Sequence, residues 1–403
     1  MRIYSLRLLF IIIFSLLFTG CWDIRQPEEA GIVIGMGLDR ENDGTIVVIA
    51  QTVRPQQPGA GGVEGGGGQD PKPFHNWYAT GETVFDAVRN LSLLSPNMMF
   101  FAHNQVYIFS ERLARGGVLE VLDFLERDPE IKQSGWVVIA RGELNDVMQS
   151  SEFGQQAPAQ MLSDILSLHP RNTKYAPSTL ADFLQALNTP NAGAYAAGVT
   201  YFKGVMKDQE EMSRTTAEAR RPYELRVSET AIFKEDKLVG WFNPMEGKGL
   251  LWIRGELQQG IIVFPFEGKT LSYEVFGSSA KVKPLVKDGR LVMSIEIKAR
   301  GNLGEASPGI YALDEQRLKE MEKSLGQAIT EQINATVNKA QELNSDVLGF
   351  GGAVHRKFPQ QWNKELGAQW NDIFSNLEVE VLVRAEIKGL GLITTSVNPR
   401  SKQ

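Results

Sequence analysis

Apolar positions along this chain change their spacing from segment to segment, and each spacing points to a different element. Leu8–Phe18 is an unbroken apolar run apart from Ser15. GIVIGMGLDR (31–40) and TIVVIAQTVRP (45–55) are β-branched runs around Asp43-Gly44, the pattern of a β-hairpin ended by Pro55. Val84, Val88, Leu91 and Leu94 recur at helical spacing between Thr80 or Glu82 and Pro96. Glu111–Arg127 carries a second helical stripe (Leu113, Val118, Leu122, Leu125), with Gly116-Gly117 as a candidate break. It stands between strand-like QVYIFS (105–110) and GWVVIARG (135–142), which together predict a crossover unit. Short helices are expected at 158–167 and 178–188, and 195–202 returns to strand.

The pattern then turns polar. Residues 206–222 are charged and nearly free of large apolar groups, and the main domain boundary is expected there, a long solvated hairpin loop inside one domain being the alternative. Strands dominate beyond it: 229–242 around Glu235-Asp236, then 261–266, 270–277, 280–287 and 290–300, with Asp288-Gly289 as a hairpin turn. Asp314 is expected to cap a helix over 314–341 whose stripe of Leu318, Met321, Leu325, Ala328, Ile329, Ile333, Val337 and Ala340 covers a sheet face. Trp362, Leu366, Trp370 and Phe374 indicate a shorter helix, and LEVEVLVRAEIKG (377–389) a closing strand. Strands in runs and helices in blocks indicate α+β: successive mixed domains, mainly antiparallel sheets packed by helices. The expected division is 1–20 as a leader, 21–205 as an N-terminal domain that divides again near 150, 206–222 as a linker and 223–398 as a C-terminal domain.

Composition changes this picture at three places. Residues 56–73 are glycine- and proline-rich, a linker-like loop. They lack the GxxxxGK[ST] arrangement that cradles phosphate. The chain has a formal charge of −6, and loss of Arg2 and Arg7 with a leader makes it more acidic, so no attraction to nucleic acid or an anionic membrane is expected from charge. Cys21 is the single cysteine, so no internal disulfide can form. Arg2 and Arg7, the apolar run and Thr19-Gly20 before Cys21 read as an export signal, because Leu8–Phe18 falls well short of the about 20 residues that span a bilayer. Gly20-Cys21 resembles a bacterial lipobox, although Phe18 stands where Leu is usual. Cys21 is then expected to carry S-diacylglycerol and an N-acyl chain, and two acyl chains suffice for stable anchoring.

Candidate chemistry is sparse. His75, His103, His169 and His355 show no zinc-ligand spacing, and there is no GxSxG elbow. Ser278–Lys281 (SSAK) satisfies SxxK but stands where a turn between strands is expected, without SDN or KTG. No catalytic residue, metal or cofactor is assigned. Trp241, Trp252, Trp362 and Trp370 are candidates for a partner-binding patch, with burial in the core as the alternative.

Three stretches together resemble the Ger(x)C family, the C-subunit lipoproteins of spore germinant receptors. GCWDIRQPEEAGIVIGMGLDR places Gly35, Gly37 and Asp39 in the family's Gly-x-Gly-x-Asp turn. LARGGVLEVLDFLERDPEIKQSGWVVIARGE (113–143) resembles its helix–strand segment, with Lys132 in place of the usual Arg. ETAIFKEDKLVGWFNPMEGKGLLWIRGE (229–256) resembles its C-terminal signature, with Met245 and Lys248 as departures. The resemblance implies an elongated, multi-domain, non-enzymatic lipoprotein on the extracytoplasmic face of the spore inner membrane, needed for the germination response. It implies two integral membrane receptor subunits as partners. A solute-binding lipoprotein that captures the germinant itself, or a cell-wall-active enzyme, are the other readings. Replacing Cys21 by Ala is expected to leave the folded domains intact and to shift the protein from the membrane to the soluble fraction, read by membrane fractionation after a high-salt wash.

Overall fold

The computed structural model describes residues 30–54, 72–150, 156–203, 223–305 and 315–389. The leader, Cys21, most of the glycine-rich loop, the 206–222 segment and Asp314 lie outside the described residues.

The first sheet is mixed. Its strands are β1 (Ala30–Arg40), β2 (Ile46–Val53), β3 (Phe74–Gly81), β4 (Met98–Phe100), β5 (Val106–Ser110), β6 (Trp136–Arg141), β7 (Ser178–Thr179), β8 (Tyr195–Lys203), β9 (Tyr223–Lys234) and β10 (Lys237–Phe242). The main path runs β10-β9-β8-β6-β5-β1-β2-β3, with β4 beside β1 and β7 beside β6. β1, β5, β6 and β8 are mutually parallel, and antiparallel pairs flank them on both sides. The parallel centre is apolar on both faces: Val137, Val138, Ile139 and Ala140 are all fully buried. α1 (Val84–Leu91), α2 (Glu111–Gly116), α3 (Leu119–Arg127) and α6 (Leu180–Leu187) pack on one face. α4 (Leu144–Gln149) and α5 (Pro158–Ser167) pack on the other. The expected crossover is present as β5–α2–α3–β6, and Gly117, at φ +121°, splits the expected helix in two.

The second sheet has the order β11-β12-β13-β14, from β11 (Gly260–Phe266), β12 (Lys269–Lys287), β13 (Arg290–Glu305) and β14 (Glu378–Gly389). The β12–β13 turn carries Asp288 at φ +48° and Gly289 at φ +74°, the double left-handed geometry whose twist matches paired strands. β11 alternates buried and exposed residues without a break, so one face is covered and the other is wet. The covering element is α8 (Glu315–Glu342), which buries Met321, Leu325, Ile329, Ile333, Val337 and Ala340 against β11, β14 and α7 (Pro244–Arg254). After α8 come α9 (Phe350–Lys357), a π-turn at Trp362–Leu366 and α10 (Trp370–Ser375), then β14, parallel to β13. The shorter helix expected around Trp362–Phe374 is therefore broken at Gly367. The two strands expected at 270–277 and 280–287 are one strand, β12, with a register irregularity between Val275 and Gly277.

The strands on either side of 206–222 belong to one sheet: β8 and β9 pair antiparallel from Tyr195↔Ile232 to Lys203↔Tyr223. The change of sheet comes later, between Arg254 and Gly260, and α7 occupies that seam. Sequence reading passed over α7 because its small residues blur the helical period. Its start was nevertheless written in the chain: Asn243 accepts hydrogen bonds from Met245 and Glu246 N–H, Glu246 reciprocates to the Asn243 N–H, and Pro244 opens the helix.

Two glycines let α7 sit that close. A Cβ on Gly247 would meet Thr230 Oγ1 of β9 at 3.2 Å, and one on Gly249 would meet Thr336 Oγ1 of α8 at 1.9 Å and the Gln332 carbonyl at 2.5 Å. Trp252 and Leu250 are fully buried beside them, in one apolar cluster that includes Tyr195, Ile232 and Phe242 of the first sheet and Ile262, Tyr273 and Ile295 of the second. Gly249→Ala is expected to cost about 2 kcal/mol through overpacking. Gly116→Ala, whose Cβ meets nothing, is expected to be neutral or about 0.5 kcal/mol stabilising. Urea midpoints of the two variants check the contrast.

Candidate functional site

The Gly-x-Gly-x-Asp stretch of β1 is a packing and end-locking device. Ala159 of α5 crosses Gly35 so closely that a Cβ there would lie 2.3 Å from its methyl, and Leu144 of α4 covers Gly37 at 3.3 Å. Asp39 closes the strand. Its Oδ1 accepts from the Arg40 N–H at 2.7 Å, from Arg112 Nε at 3.2 Å and from the Ser110 hydroxyl, and its Oδ2 accepts from the Arg112 terminal nitrogen at 2.8 Å. Ser110 also accepts from the Leu113 N–H and caps α2. The carboxylate holds the Arg112 guanidinium above its ordinary range. Asp39 thus ties the end of β1 to the start of α2.

The departures from the family pattern are accommodated locally. Lys248 Nζ donates to the Ile261 carbonyl at 2.8 Å, and burial pushes its pKa down. Met245 is largely exposed. The Lys132 carbonyl accepts from the Tyr107 hydroxyl at 3.0 Å, a main-chain contact that does not depend on the side chain.

The four tryptophans do not assemble into a surface patch. Trp252, Trp362 and Trp370 are core residues at 0%, 8% and 1% exposure. Trp252 Nε1 donates to Gln332 Oε1 at 3.2 Å, and Trp370 Nε1 donates to Asp346 Oδ2 at 3.1 Å. Trp241 is half-buried on the first sheet, its indole N–H donating to Glu111 at 3.4 Å and the Arg141 guanidinium 5.3 Å from its ring. Large aromatic side chains in strand- and helix-rich segments more readily build core than surface.

SSAK lies within β12 and not in a turn. Residues three apart on a strand point to opposite faces, so Ser278 and Lys281 cannot act together. Ser278 Oγ instead donates to the Leu257 carbonyl at 2.5 Å. The four histidines are dispersed: His75 beside Trp77, His103 beside Phe100, His169 beside Trp136 and His355 stacked on Trp362. Among the described residues no group of three His, Cys, Asp or Glu could hold a metal ion.

The structure does bring together a polar cleft of about 450 Å³ at the seam, lined by Asp182, Tyr195, Arg254, Asp346, Gly349 and Arg356 among others. Arg254 is the last residue of α7; its guanidinium lies 5.2 Å from the Tyr195 ring, and its Nε donates to Glu256 at 2.8 Å. Burial pushes the Tyr195 phenol up. Asp346 is buried on the loop after α8 and accepts from the Phe350 N–H at 2.9 Å, the Gly351 N–H at 2.6 Å and Trp370 Nε1. Burial pushes its carboxyl up, and these donors oppose that shift. The same loop clasps the first sheet, with Ser345 Oγ donating to the Phe233 carbonyl at 2.6 Å and the Gly193 N–H to the Asp346 carbonyl at 3.0 Å. None of these residues stood out in the sequence. The only local signal was Asp346 four residues before a helical run that opens on glycines.

Two sheets sharing one seam helix define the class: a multi-domain α+β protein whose signature stretches build packing and not a catalytic constellation. The comparisons agree with that class. Residues 23–201 match the family described as "Spore germination protein N-terminal domain", and residues 228–391 match "Spore germination B3/GerAC like, C-terminal". Spore germination protein KC of Bacillus subtilis (strain 168) is 25% identical over 390 residues, 95% of each chain. Spore germination protein B3 of the same organism is 25% identical over 382 residues, 93% of this chain and 95% of its own. Spore germination protein A3, also from that organism, is 24% identical over 398 residues, 96% of this chain and 98% of its own. A crystal structure of the GerBC protein shares the fold, with a TM-score of 0.56 at 20% identity over 88% of this chain and 97% of that one. The chain belongs to the Ger(x)C family, the C subunits of spore germinant receptors. The two family matches part between 201 and 228, around the polar segment that β8 and β9 bracket.

Asp346→Asn is expected to destabilise the protein by about 2 kcal/mol, because the amide nitrogen turns a donor toward N–H groups that now point at a carboxylate oxygen. Denaturant titration of the variant against wild type measures the loss.

Proposed function

We propose that this protein is a membrane-anchored, non-enzymatic subunit of a spore nutrient germinant receptor, acting as an adaptor to two integral membrane subunits. The observation that carries the reading is the match of both halves of the chain to spore germination families, with relatives aligned along nearly their whole length. Gly20-Cys21 after a short apolar run supports diacylglycerol attachment at Cys21 and a place on the extracytoplasmic face of the spore inner membrane. Among the described residues no helix is long and apolar enough to cross a membrane, so the lipid and the partners would supply the attachment. Confinement to a surface raises the effective concentration of such partners without any new contact.

A second reading rests on the seam cleft. Its guanidinium groups and carboxyls line one open cleft at the junction of two sheets, a usual place for a small-molecule site. In that reading the subunit captures a small polar germinant itself. A ligand bound to the folded state alone raises the melting temperature in a concentration-dependent way. A germinant-dependent rise that Arg254→Gln abolishes would favour capture.

The adaptor reading is tested by isolating the lipidated protein from spore membranes and identifying what accompanies it by mass spectrometry. Recovery of two multi-spanning subunits is expected. Recovery of the lipoprotein by itself, in a detergent that preserves other membrane complexes, would overturn the reading.

A further inference from the structure

α1 and α3 lie side by side on one face of the first sheet and leave an apolar groove of about 750 Å³ between them. Each helix spends its inward stripe on the sheet: Val84, Ala87 and Leu91 from α1, and Val121, Leu122 and Leu125 from α3. Phe85 and Leu119 fall off those stripes and stand 50% and 64% exposed on the groove walls. Phe124 lies half-buried between them, its ring 6.1 Å from that of Phe85. One exposed leucine is ordinary, whereas two large apolar side chains lining one concavity form a patch of the kind that marks a contact.

The rim supplies the charge. Glu82, Glu120, Asp123 and Asp128 line the groove with Arg127, and the Arg89 guanidinium lies 4.8 Å from the Phe85 ring on one wall. Arg127 is held by Asp123 at 2.8 Å, and Glu120 is held by Arg40 at 2.6 Å. Glu82 and Asp128 have no cationic partner among the described residues. Asp128 Oδ1 accepts from the Glu130 N–H at 2.9 Å. An apolar floor between two helices, under an acidic rim, fits a helix that presents apolar anchors flanked by Lys or Arg.

We propose that the α1–α3 groove is the docking surface for a basic, amphipathic helical segment of one of the integral membrane subunits. The proposal rests on the adaptor reading and names its contact surface. The test uses the full-length lipidated protein isolated from spore membranes. Phe85→Ala with Leu119→Ala, and separately Glu82→Lys with Asp128→Lys, are each expected to lower recovery of the membrane subunits at least tenfold, because a few central anchors carry most of such an interface. Phe85, Leu119 and Glu82 are exposed, so the melting temperature of Phe85→Ala with Leu119→Ala is expected to stay at the wild-type value, whereas the charge variant is expected to melt slightly lower through loss of the Asp128 contact to the Glu130 N–H. Wild-type recovery with undiminished recovery by both variants would overturn the groove and leave the adaptor reading standing. Failure of the wild type to recover the subunits would overturn the adaptor reading and the groove with it. A wild-type dimer in sedimentation that Phe85→Ala with Leu119→Ala dissociates would assign the groove to a second copy and overturn the proposal.

Discussion

The close approach of α7 to α8 at Gly249 is the constraint on which the architecture turns. A helix that follows β10 by chain is pressed against the helix that covers the other sheet, and only a residue without a side chain fits the crossing. The contact is polar as well as tight, because Thr336 Oγ1 donates to the Glu246 carbonyl at 2.8 Å. Trp252 of the same helix is fully buried, and its indole N–H finds Gln332. Apolar burial, main-chain satisfaction and shape are thus settled together at one crossing, and the apolar cluster runs through it without interruption. Two sheets joined in this way share a core, unlike domains joined only by a tether.

Much of the fold was legible because its elements state their period plainly. The β1–β2 hairpin announced itself through Asp43-Gly44, the β12–β13 turn through Asp288-Gly289, and α8 through an apolar stripe that reaches the sheet it covers. What stayed hidden depended on contacts between distant segments. α7 carries Gly247 and Gly249, whose meaning appears only when Thr230 of β9 and Thr336 of α8 are laid against them. The pairing of β8 with β9 is invisible from the charged stretch between them, because polarity there reports a solvated connection and says nothing about what its two ends do. The tryptophans illustrate the same limit, since Trp362 and Trp370 become core through a loop that folds back on α9.

The candidate site was less legible than the fold. The stretches that resemble the family are conspicuous in sequence because their glycines and caps are unusual, and in the structure they turn out to be fasteners. Gly35, Gly37 and Asp39 seat two helices and lock a strand end, and Asn243 with Glu246 starts the seam helix. The residues that line open space are of ordinary type: two arginines, a tyrosine and two aspartates in the cleft, and a phenylalanine and a leucine on the outer groove. Such residues gain meaning from placement, which no spacing rule along the chain encodes.

The parallel pairing of β14 with β13 has a consequence for how the molecule comes into being. β13 ends at Glu305, but its second neighbour does not begin until Glu378, and the long helix that covers the sheet packs on that neighbour and on β11. The first sheet's parallel centre is complete by Lys203, whereas the second sheet waits for β14. A protein synthesised from its N-terminus therefore carries an open β13 edge and an α8 stripe covered only by α7 and β11 until β14 has been made, and contacts so far apart in sequence form slowly. A chain that stops before β14 leaves that edge unpaired. β14 therefore acts as a seal on the second sheet: only a chain that includes it pairs the β13 edge and completes the cover over α8.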